Sequence, residues 1–146
     1  AFINNVLAET YADGSMKKVA DTYKLADAMV EQAAPDANYT VPTDGDVAYI
    51  QNKGKLVVGI TEFEPMDYKD ASGNWIGFDA KLVAEKLGVD IEFTVINWDN
   101  KIMELDSKAI DVVWNGMTLT DEVKNSMECT NPYFNNAQVV VTKAAE

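Results

Sequence analysis

The sequence predicts an α/β fold, a three-layer sandwich with a mainly parallel sheet of about five strands. From Lys55 onward, short apolar runs of strand length alternate with helical patterns, the order that builds parallel βαβ units. With 146 residues and 47% hydrophobic side chains, the chain is about one domain and can bury a core. Its formal charge of -12 argues against nucleic acid and anionic lipid as partners, because phosphate binding needs clustered basic residues.

The first segment, residues 1–31, is predicted to be helical and to pack on the sheet. Apolar side chains recur at helical spacing in two successive stripes, at Phe2, Ile3, Val6 and Leu7 and then at Met16, Val19, Ala20 and Tyr23. Ser15 is expected to cap the second helix. A third short helix is expected around Met29.

The next segment, residues 32–54, is predicted to be a linker and a lead-in to the sheet, because residues 33–46 contain two prolines and several small polar residues. The apolar runs then predict strands at 55–60, 91–96, 110–114 and 138–142.

Two helices are predicted between these strands, one at Lys81 to Leu87 and one that Asn97 caps and that runs to about Asp106. Asp79 is expected to cap the first of these helices, and Trp98 to pack at the start of the second.

The stretch from Asp111 to Glu122 is the most informative one for function. An apolar run ends at Trp114 in a small polar turn, and two threonines and two acids then begin a predicted helix. Such a turn presents backbone N–H groups and hydroxyls at the carboxyl edge of the sheet, where open α/β sheets bind small ligands. The chain contains no histidine to act as a general base, so this chemistry favours holding a small polar molecule over transforming it.

Three segments, in this order, resemble the first lobe of bacterial extracellular amino-acid-binding proteins, the receptors of ABC importers. They are KLVVGITEFEPMDYKDASGNWIGFDA, VAEKLGVDIEFTVINWDNKIMELDSKAIDVVWNGMTLTDEV and NPYFNNAQVVVTK, and they cover about three fifths of the chain. The resemblance implies one lobe of a type II periplasmic-binding-protein fold. It also implies an extracellular or periplasmic location, with lipid anchoring as an option, and an ABC permease as partner.

The order of the segments is unusual for this family. Residues 1–31 resemble the helices that close the family's fold after its second lobe, and the sequence ends after Lys143 where the family crosses to that lobe. We therefore expect a single lobe over 1–146, circularly permuted and without its second lobe, with 55–146 as its core. An engineered lobe and a piece of a natural tandem protein are both open interpretations.

By this resemblance, the predicted ligand-binding residues are Glu62, Phe63, Trp114, Asn115, Gly116 and Thr118. Phe63 would be an aromatic platform, and Glu62 would contact the ligand's amino group. Gly116 would let the ligand approach the backbone closely, and Thr118 would offer a hydroxyl and an N–H to a carboxylate. The alternatives are that Phe63 is a core aromatic, that Glu62 is a solvated loop acid, and that the turn with Thr118 simply terminates a strand.

One position departs from the family. Val123 stands where the family commonly has an arginine that forks onto the ligand's α-carboxylate, and valine cannot do this. The nearby acids, Glu62, Glu64, Asp121 and Glu122, favour positive charge. A zwitterion bound in another way and a cationic ligand are both compatible with this pattern.

The predicted function is the half-site of a solute receptor, with weak or no ligand binding and without catalysis, cofactor or metal. One alternative is an enzyme resembling cyclohexadienyl dehydratases, with Glu62 or Asp121 as the acid. The other is a folded lobe that binds nothing and forms a homodimer through an exposed apolar cleft face, made of Phe63, Met66, Trp114, Met117, Tyr133 and Phe134. The lone Cys129 is predicted to be a small buried side chain.

Overall fold

A computed structural model of the chain describes residues 1–79 and 88–137. Its helices are α1 (Phe2–Ala12), α2 (Ser15–Thr22), α3 (Gly45–Lys53), α4 (Lys101–Asp106) and α5 (Asp121–Ser126). Its strands are β1 (Lys55–Ile60), β2 (Tyr68–Lys69), β3 (Trp75–Ile76), β4 (Asp90–Val95) and β5 (Val112–Val113). Single turns of 3-10 helix lie at Ala26–Ala28 and Trp98–Asn100.

The main sheet has β1 at its centre and runs in the order β4, β1, β5 with all strands parallel. Lys55 pairs with Asp90 and Ile60 with Val95, whereas β5 meets β1 only at Val58 and Gly59. The three predicted strands in this part of the chain are therefore confirmed as parallel neighbours. The strand predicted at 138–142 and the helix predicted at Lys81 to Leu87 lie outside the described residues.

The sheet is covered on both faces, which explains why β1 is apolar without alternation. Leu56, Val58 and Ile60 point into one buried cluster, and Val57 points into another with Ile96 and Ile110. A strand buried on both sides has no need of polar residues on one face. The predicted three-layer α/β arrangement is confirmed.

The N-terminal helices supply much of the larger cluster. Leu7 of α1 and Met16 and Ala20 of α2 are each 0% exposed, and they pack together with the β1 residues of that cluster. Burial of a side chain the size of leucine or methionine stabilises a fold by about 1.5–3 kcal/mol. The predicted packing of the first two helices of this segment on the sheet is therefore confirmed.

Two local predictions in this segment are wrong. Gly14, not Ser15, is the N-cap of α2, and the backbone N–H of Ser15 donates to the Asp13 carboxylate across 2.8 Å. The expected third helix is only a 3-10 turn, because the chain after it runs beside Phe134 as an extended bridge. The N–H of Val30 donates there to the Tyr133 carbonyl oxygen across 3.0 Å.

The segment predicted to be a linker contains a helix that the sequence analysis missed. Helix α3 follows Asp44 directly, and its side chains are at most half-buried, so it lacks the apolar stripe that would have revealed it. The helix is tied to the sheet by Lys53, whose Nζ lies 2.6 Å from the Asp111 carboxylate just before β5. The part before α3, residues 32–44, contains no helix or strand, and the Tyr39 N–H donates to the Asp36 carbonyl oxygen in a turn across 3.0 Å.

Candidate functional site

A cleft of about 400 Å³ opens at the carboxyl ends of the parallel strands. The loop after β1, the turn after β5 and the starts of α4 and α5 enclose it. The residues that line it are Thr61, Phe63, Trp98, Lys101, Ile102, Asn115, Met117, Thr118, Thr120, Glu122 and Val123. A cleft at this edge of the sheet is the place where open α/β folds bind ligands, as the sequence predicted.

Two strand ends are joined at the base of the cleft by a reciprocal pair of hydrogen bonds. The N–H of Thr61 donates to Asn115 Oδ1 across 3.0 Å, and Asn115 Nδ2 donates to Thr61 Oγ1 across 2.7 Å. Asn115 is only 6% exposed. Its amide therefore holds β1 and β5 together at the cleft, in addition to lining it.

Phe63 projects from a tight turn after β1. Its N–H donates to the Asp67 carbonyl oxygen across 2.6 Å, and its own carbonyl accepts from the N–H of Met66 across 2.8 Å. The ring is 49% exposed and lines the cleft. A half-exposed aromatic ring on a hydrogen-bonded turn has the geometry of a platform for a ligand.

The other predicted binding residues differ in their exposure and in whether they line the cleft. Thr118 is exposed and lines the cleft, and its hydroxyl accepts from Asn136 Nδ2 across 2.6 Å. Glu62 is exposed but is not among the lining residues, and Trp114 is 6% exposed within the core cluster. Gly116 lies between two lining residues, and a Cβ placed on it would approach Phe63 Cε1 to 3.6 Å. Whether these residues bind a ligand stays a prediction.

Asp79 precedes the helix predicted at Lys81 to Leu87, which lies outside the described residues, so its role as a helix cap stays a prediction. Its carboxylate is 1% exposed, and it accepts from the Gly116 N–H through Oδ2 and from the Tyr133 hydroxyl through Oδ1, each across 2.9 Å. Tyr133 Oη in turn accepts from Trp114 Nε1 across 3.1 Å. This chain of hydrogen bonds fixes the turn after β5 from beneath.

Burial changes the ionisation of both acids in this chain of hydrogen bonds. Loss of water raises the pKa of Asp79 to about 7, although the hydrogen bonds from Tyr133 and Gly116 act in the opposite direction. Burial, followed by the neighbouring charge of Asp79, raises the pKa of Tyr133 well above its usual value. The support beneath the cleft turn therefore contains an acid that titrates near neutral pH.

The cleft contains residues that sequence reasoning assigned elsewhere or overlooked. Trp98, expected to pack at a helix start, lines the cleft, and Lys101 lines it beside the same ring. The Lys101 Nζ lies 5.1 Å from the centroid of the Trp98 ring and donates to the Trp98 carbonyl oxygen across 3.2 Å. A lysine three residues after an aromatic residue at a helix start was the signal available in the sequence.

The start of α5 forms another wall. Thr120 caps this helix by accepting from the Val123 N–H across 3.2 Å, and both residues line the cleft. Val123 is 8% exposed and presents an apolar surface where an arginine would present a guanidinium. Of the four acids expected near the ligand, Glu122 lines the cleft and the other three are not among its lining residues.

The predicted apolar cleft face is largely wrong. Met66 and Trp114 are buried and Met117, Tyr133 and Phe134 are half-buried, so that Phe63 is the single exposed member of the set. The ring of Phe134 packs edge-on against Phe78 at a centroid distance of 4.4 Å. These aromatics therefore fill the core instead of forming an interaction surface.

Other kinds of site find little support in the described ranges. No group of three or more histidine, cysteine, aspartate or glutamate side chains gathers there in a way that could hold a metal ion. None of the helices in these ranges has the length and apolar character needed to cross a membrane. Cys129 is half-buried, and its Sγ lies 3.5 Å from the Met127 carbonyl oxygen.

The family model and the individual relatives that match this chain agree on one family. The model of bacterial extracellular solute-binding proteins, family 3, matches residues 56–146. The chain is 38% identical over 95 residues to a probable histidine-binding protein of Neisseria gonorrhoeae, covering 62% of this chain and 35% of that protein. It is 32% identical over 108 residues to an L-cystine-binding protein of Escherichia coli K12, covering 70% of this chain and 41% of that protein.

A third relative is an arginine-binding extracellular protein of Bacillus subtilis 168, 35% identical over 95 residues, with 62% of this chain and 37% of that protein covered. The chain thus spans between 35% and 41% of the length of these three relatives.

Solved structures agree with this family. Domain 1 from TmArgBP of T. maritima, in an arginine-bound mutant form, superposes with a TM-score of 0.56 at 38% identity, covering 60% of this chain and 71% of that chain. An ancestral cationic amino acid solute-binding protein superposes with a TM-score of 0.52 at 36% identity, covering 56% of this chain and 37% of that chain. That ancestral protein is also described as a precursor of cyclohexadienyl dehydratase.

Proposed function

This chain belongs to the bacterial extracellular solute-binding proteins of family 3, and on that premise we propose that it forms one half of the binding site of an amino-acid receptor. The solute is an amino acid or a related small polar molecule. The observation that carries this proposal is the cleft at the carboxyl ends of β1 and β5, which combines one exposed aromatic ring with threonine hydroxyls. Clefts with an apolar surface and a few well-placed polar groups are typical of small-molecule sites.

The relatives support the class of ligand. Their names refer to histidine, L-cystine and arginine, all of which carry an α-amino and an α-carboxyl group. Domain 1 from TmArgBP was solved with arginine bound, which supports the idea that a single lobe can hold such a ligand. In this proposal Phe63 packs on the ligand, and Thr118 and the turn at Gly116 contact its polar groups.

The proposed setting follows the family. The chain acts outside the cytoplasmic membrane, in the periplasm or anchored by lipid, and delivers solute to an ABC permease. We also propose that residues 1–31 are the family's closing helices in permuted order, supported by their packing on β1. Homodimer formation through the cleft face is not part of the proposal, because one exposed phenylalanine falls far short of the roughly 800 Å² per partner of a stable interface.

Catalysis is the second candidate, favoured by the likeness to a precursor of cyclohexadienyl dehydratase. The two acids considered for this role, Glu62 and Asp121, are exposed and are not among the residues that line the cleft. We therefore propose binding without turnover. Conversion of prephenate or arogenate by the purified chain, lost on substitution of a cleft residue, would replace this proposal with the enzymatic one.

Calorimetry or NMR titration with a panel of amino acids tests binding. A lone lobe leaves much of the ligand in water, so we expect a dissociation constant of about 1 mM or weaker, roughly -4 kcal/mol. Phe63→Ala should weaken binding several-fold, whereas Tyr49→Ala should not, although the two rings are 49% and 48% exposed. Equal effects of the two substitutions, or micromolar binding by the monomer, would contradict the half-site proposal.

A further inference from the structure

Among the described residues that line the cleft, Lys101 is the cation. It is the first residue of α4, its side chain is half-buried, and it lines the cleft together with Trp98. The ammonium lies over the face of the Trp98 ring at 5.1 Å and donates to the Trp98 carbonyl oxygen across 3.2 Å. These two contacts hold the charge at the cleft wall, where its remaining N–H groups can donate to a ligand.

The charge inside the cleft differs from the charge of the whole chain. The formal net charge is -12, yet the charged residues among the described lining residues are one lysine, Lys101, and one acid, Glu122. The acids Glu62, Glu64 and Asp121, whose charge predicts a preference for a cation, are outside this lining. The cleft wall is therefore balanced and carries one charge of each sign, as a zwitterion does.

The chain also has limited means of binding a carboxylate. All 12 of its basic residues are lysines, so the sequence contains no guanidinium for a two-pronged contact. Val123 makes the α5 wall apolar at the point where it meets the cleft. Within the described lining, Lys101 is the residue that can neutralise a carboxylate.

We propose that Lys101 determines the specificity of this cleft, because it binds a carboxylate of the ligand and disfavours ligands with a cationic side chain. The face of Trp98, where a cationic side chain would bind by a cation–π contact, is already covered by the Lys101 ammonium. A guanidinium brought there would meet a like charge. The inference rests on the proposed amino-acid binding and narrows the ligand to amino acids with neutral or acidic side chains.

NMR titration of the isotope-labelled chain tests this proposal, with L-glutamine, L-glutamate and L-arginine as ligands. The unmodified chain should bind glutamine and glutamate more tightly than arginine. Lys101→Met keeps the stem and removes the charge. This variant should bind glutamate about fivefold more weakly, which is the effect of one unit charge at about 4 Å in water. It should bind arginine more tightly.

Lys18→Met is the matched control, because Lys18 is an exposed lysine on α2 and its loss changes the net charge equally. It should leave the ratio of glutamate to arginine affinity unchanged. Added salt should weaken glutamate binding by the unmodified chain more than by Lys101→Met, because salt screens the charge that the variant lacks. Lys101→Gln repeats the test should the methionine variant fold poorly.

The outcomes separate this inference from the function on which it rests. Arginine binding as tight as that of glutamate, or an unchanged ratio in Lys101→Met, would overturn the role of Lys101 and leave the receptor proposal standing. If none of the three ligands shifted the resonances of cleft residues at tens of millimolar, the receptor proposal itself would fail and this inference with it.

Discussion

The carboxylate of Asp79 accepts a hydrogen bond from the backbone N–H of Gly116 across 2.9 Å. This bond joins a buried acid to the turn that carries Asn115 and Met117 into the cleft. The geometry of the cleft thus depends on a group whose pKa burial raises to about 7.

The stability of the chain should therefore fall as pH rises toward neutrality. The pKa of Asp79 is raised from 3.8 in the unfolded chain to about 7 in the folded one. The folded state binds more protons between about pH 4 and 7, so unfolding becomes easier by on the order of 3 kcal/mol across this window. Urea unfolding at a series of pH values measures this slope, and Asp79→Asn should flatten it.

Asp70→Asn is the control for this slope. Asp70 is half-buried in a turn, and hydrogen bonds, the largest of them from the Asn74 N–H, lower its pKa. Its contribution to stability is present above its unfolded pKa and is lost only in stronger acid, so the slope between about pH 5 and 8 should not change. An unaltered slope in Asp79→Asn would refute the assignment.

The packing of the N-terminal helices predicts a large cost for a core substitution. Leu7 is 0% exposed, and Leu7→Ala should lower the free energy of unfolding by about 3 kcal/mol because it leaves a cavity against the sheet. Met103→Ala removes a side chain of similar size that is 60% exposed, and it should change the free energy of unfolding by less than about 0.5 kcal/mol. Similar small effects in both variants would mean that α1 does not pack on the sheet in solution.

Within residues 1–79 and 88–137, two ion pairs bridge separate elements, and they should contribute unequally to stability. The Asp111 side chain is 6% exposed. Besides its ion pair with Lys53, it accepts from the Val57 N–H across 2.7 Å. Asp111→Asn should therefore cost about 2 kcal/mol, because it leaves the Lys53 ammonium without its counter-charge.

Glu92→Gln provides the comparison for that pair. The side chains of Lys55 and Glu92 are 45% and 53% exposed, so this pair should contribute less than about 1 kcal/mol. Denaturant unfolding at low and high salt distinguishes the two cases. If Glu92→Gln were as costly as Asp111→Asn, burial would not be the cause of the difference.

Gly77 should be the least replaceable glycine near the cleft. A Cβ at this position would lie 2.2 Å from the backbone oxygen of Met66, in the loop that carries Phe63. Gly77→Ala should cost more than about 3 kcal/mol, because the loop must move. Gly73→Ala, also at a positive φ (+85°, against +131° at Gly77) but with nothing within 4 Å of the new Cβ, should cost only about 1–2 kcal/mol. Equal losses would show that backbone strain, not contact with the loop, sets the cost.

The elements that were predicted well are those with strong local signals. The β1 run is apolar at every position after Lys55, and α1 and α2 carry clear apolar stripes, so their type and packing followed from pattern alone. Helix α3 was missed because no face of it is buried. A local pattern of apolar residues therefore predicts an element only where a face of that element is buried.

For the cleft, the residue pattern was enough to predict the edge of the sheet, the turn after β5 and the family of the chain. Those features follow from strand order and from residues close together in the chain. The tertiary structure was needed to identify the side chains that face the cleft, because their position depends on segments far apart in sequence. It placed Trp114 in the core and Lys101 and Glu122 at the cleft wall. It also joined Asp79 to Gly116, 37 positions away, through a hydrogen bond that no local pattern encodes.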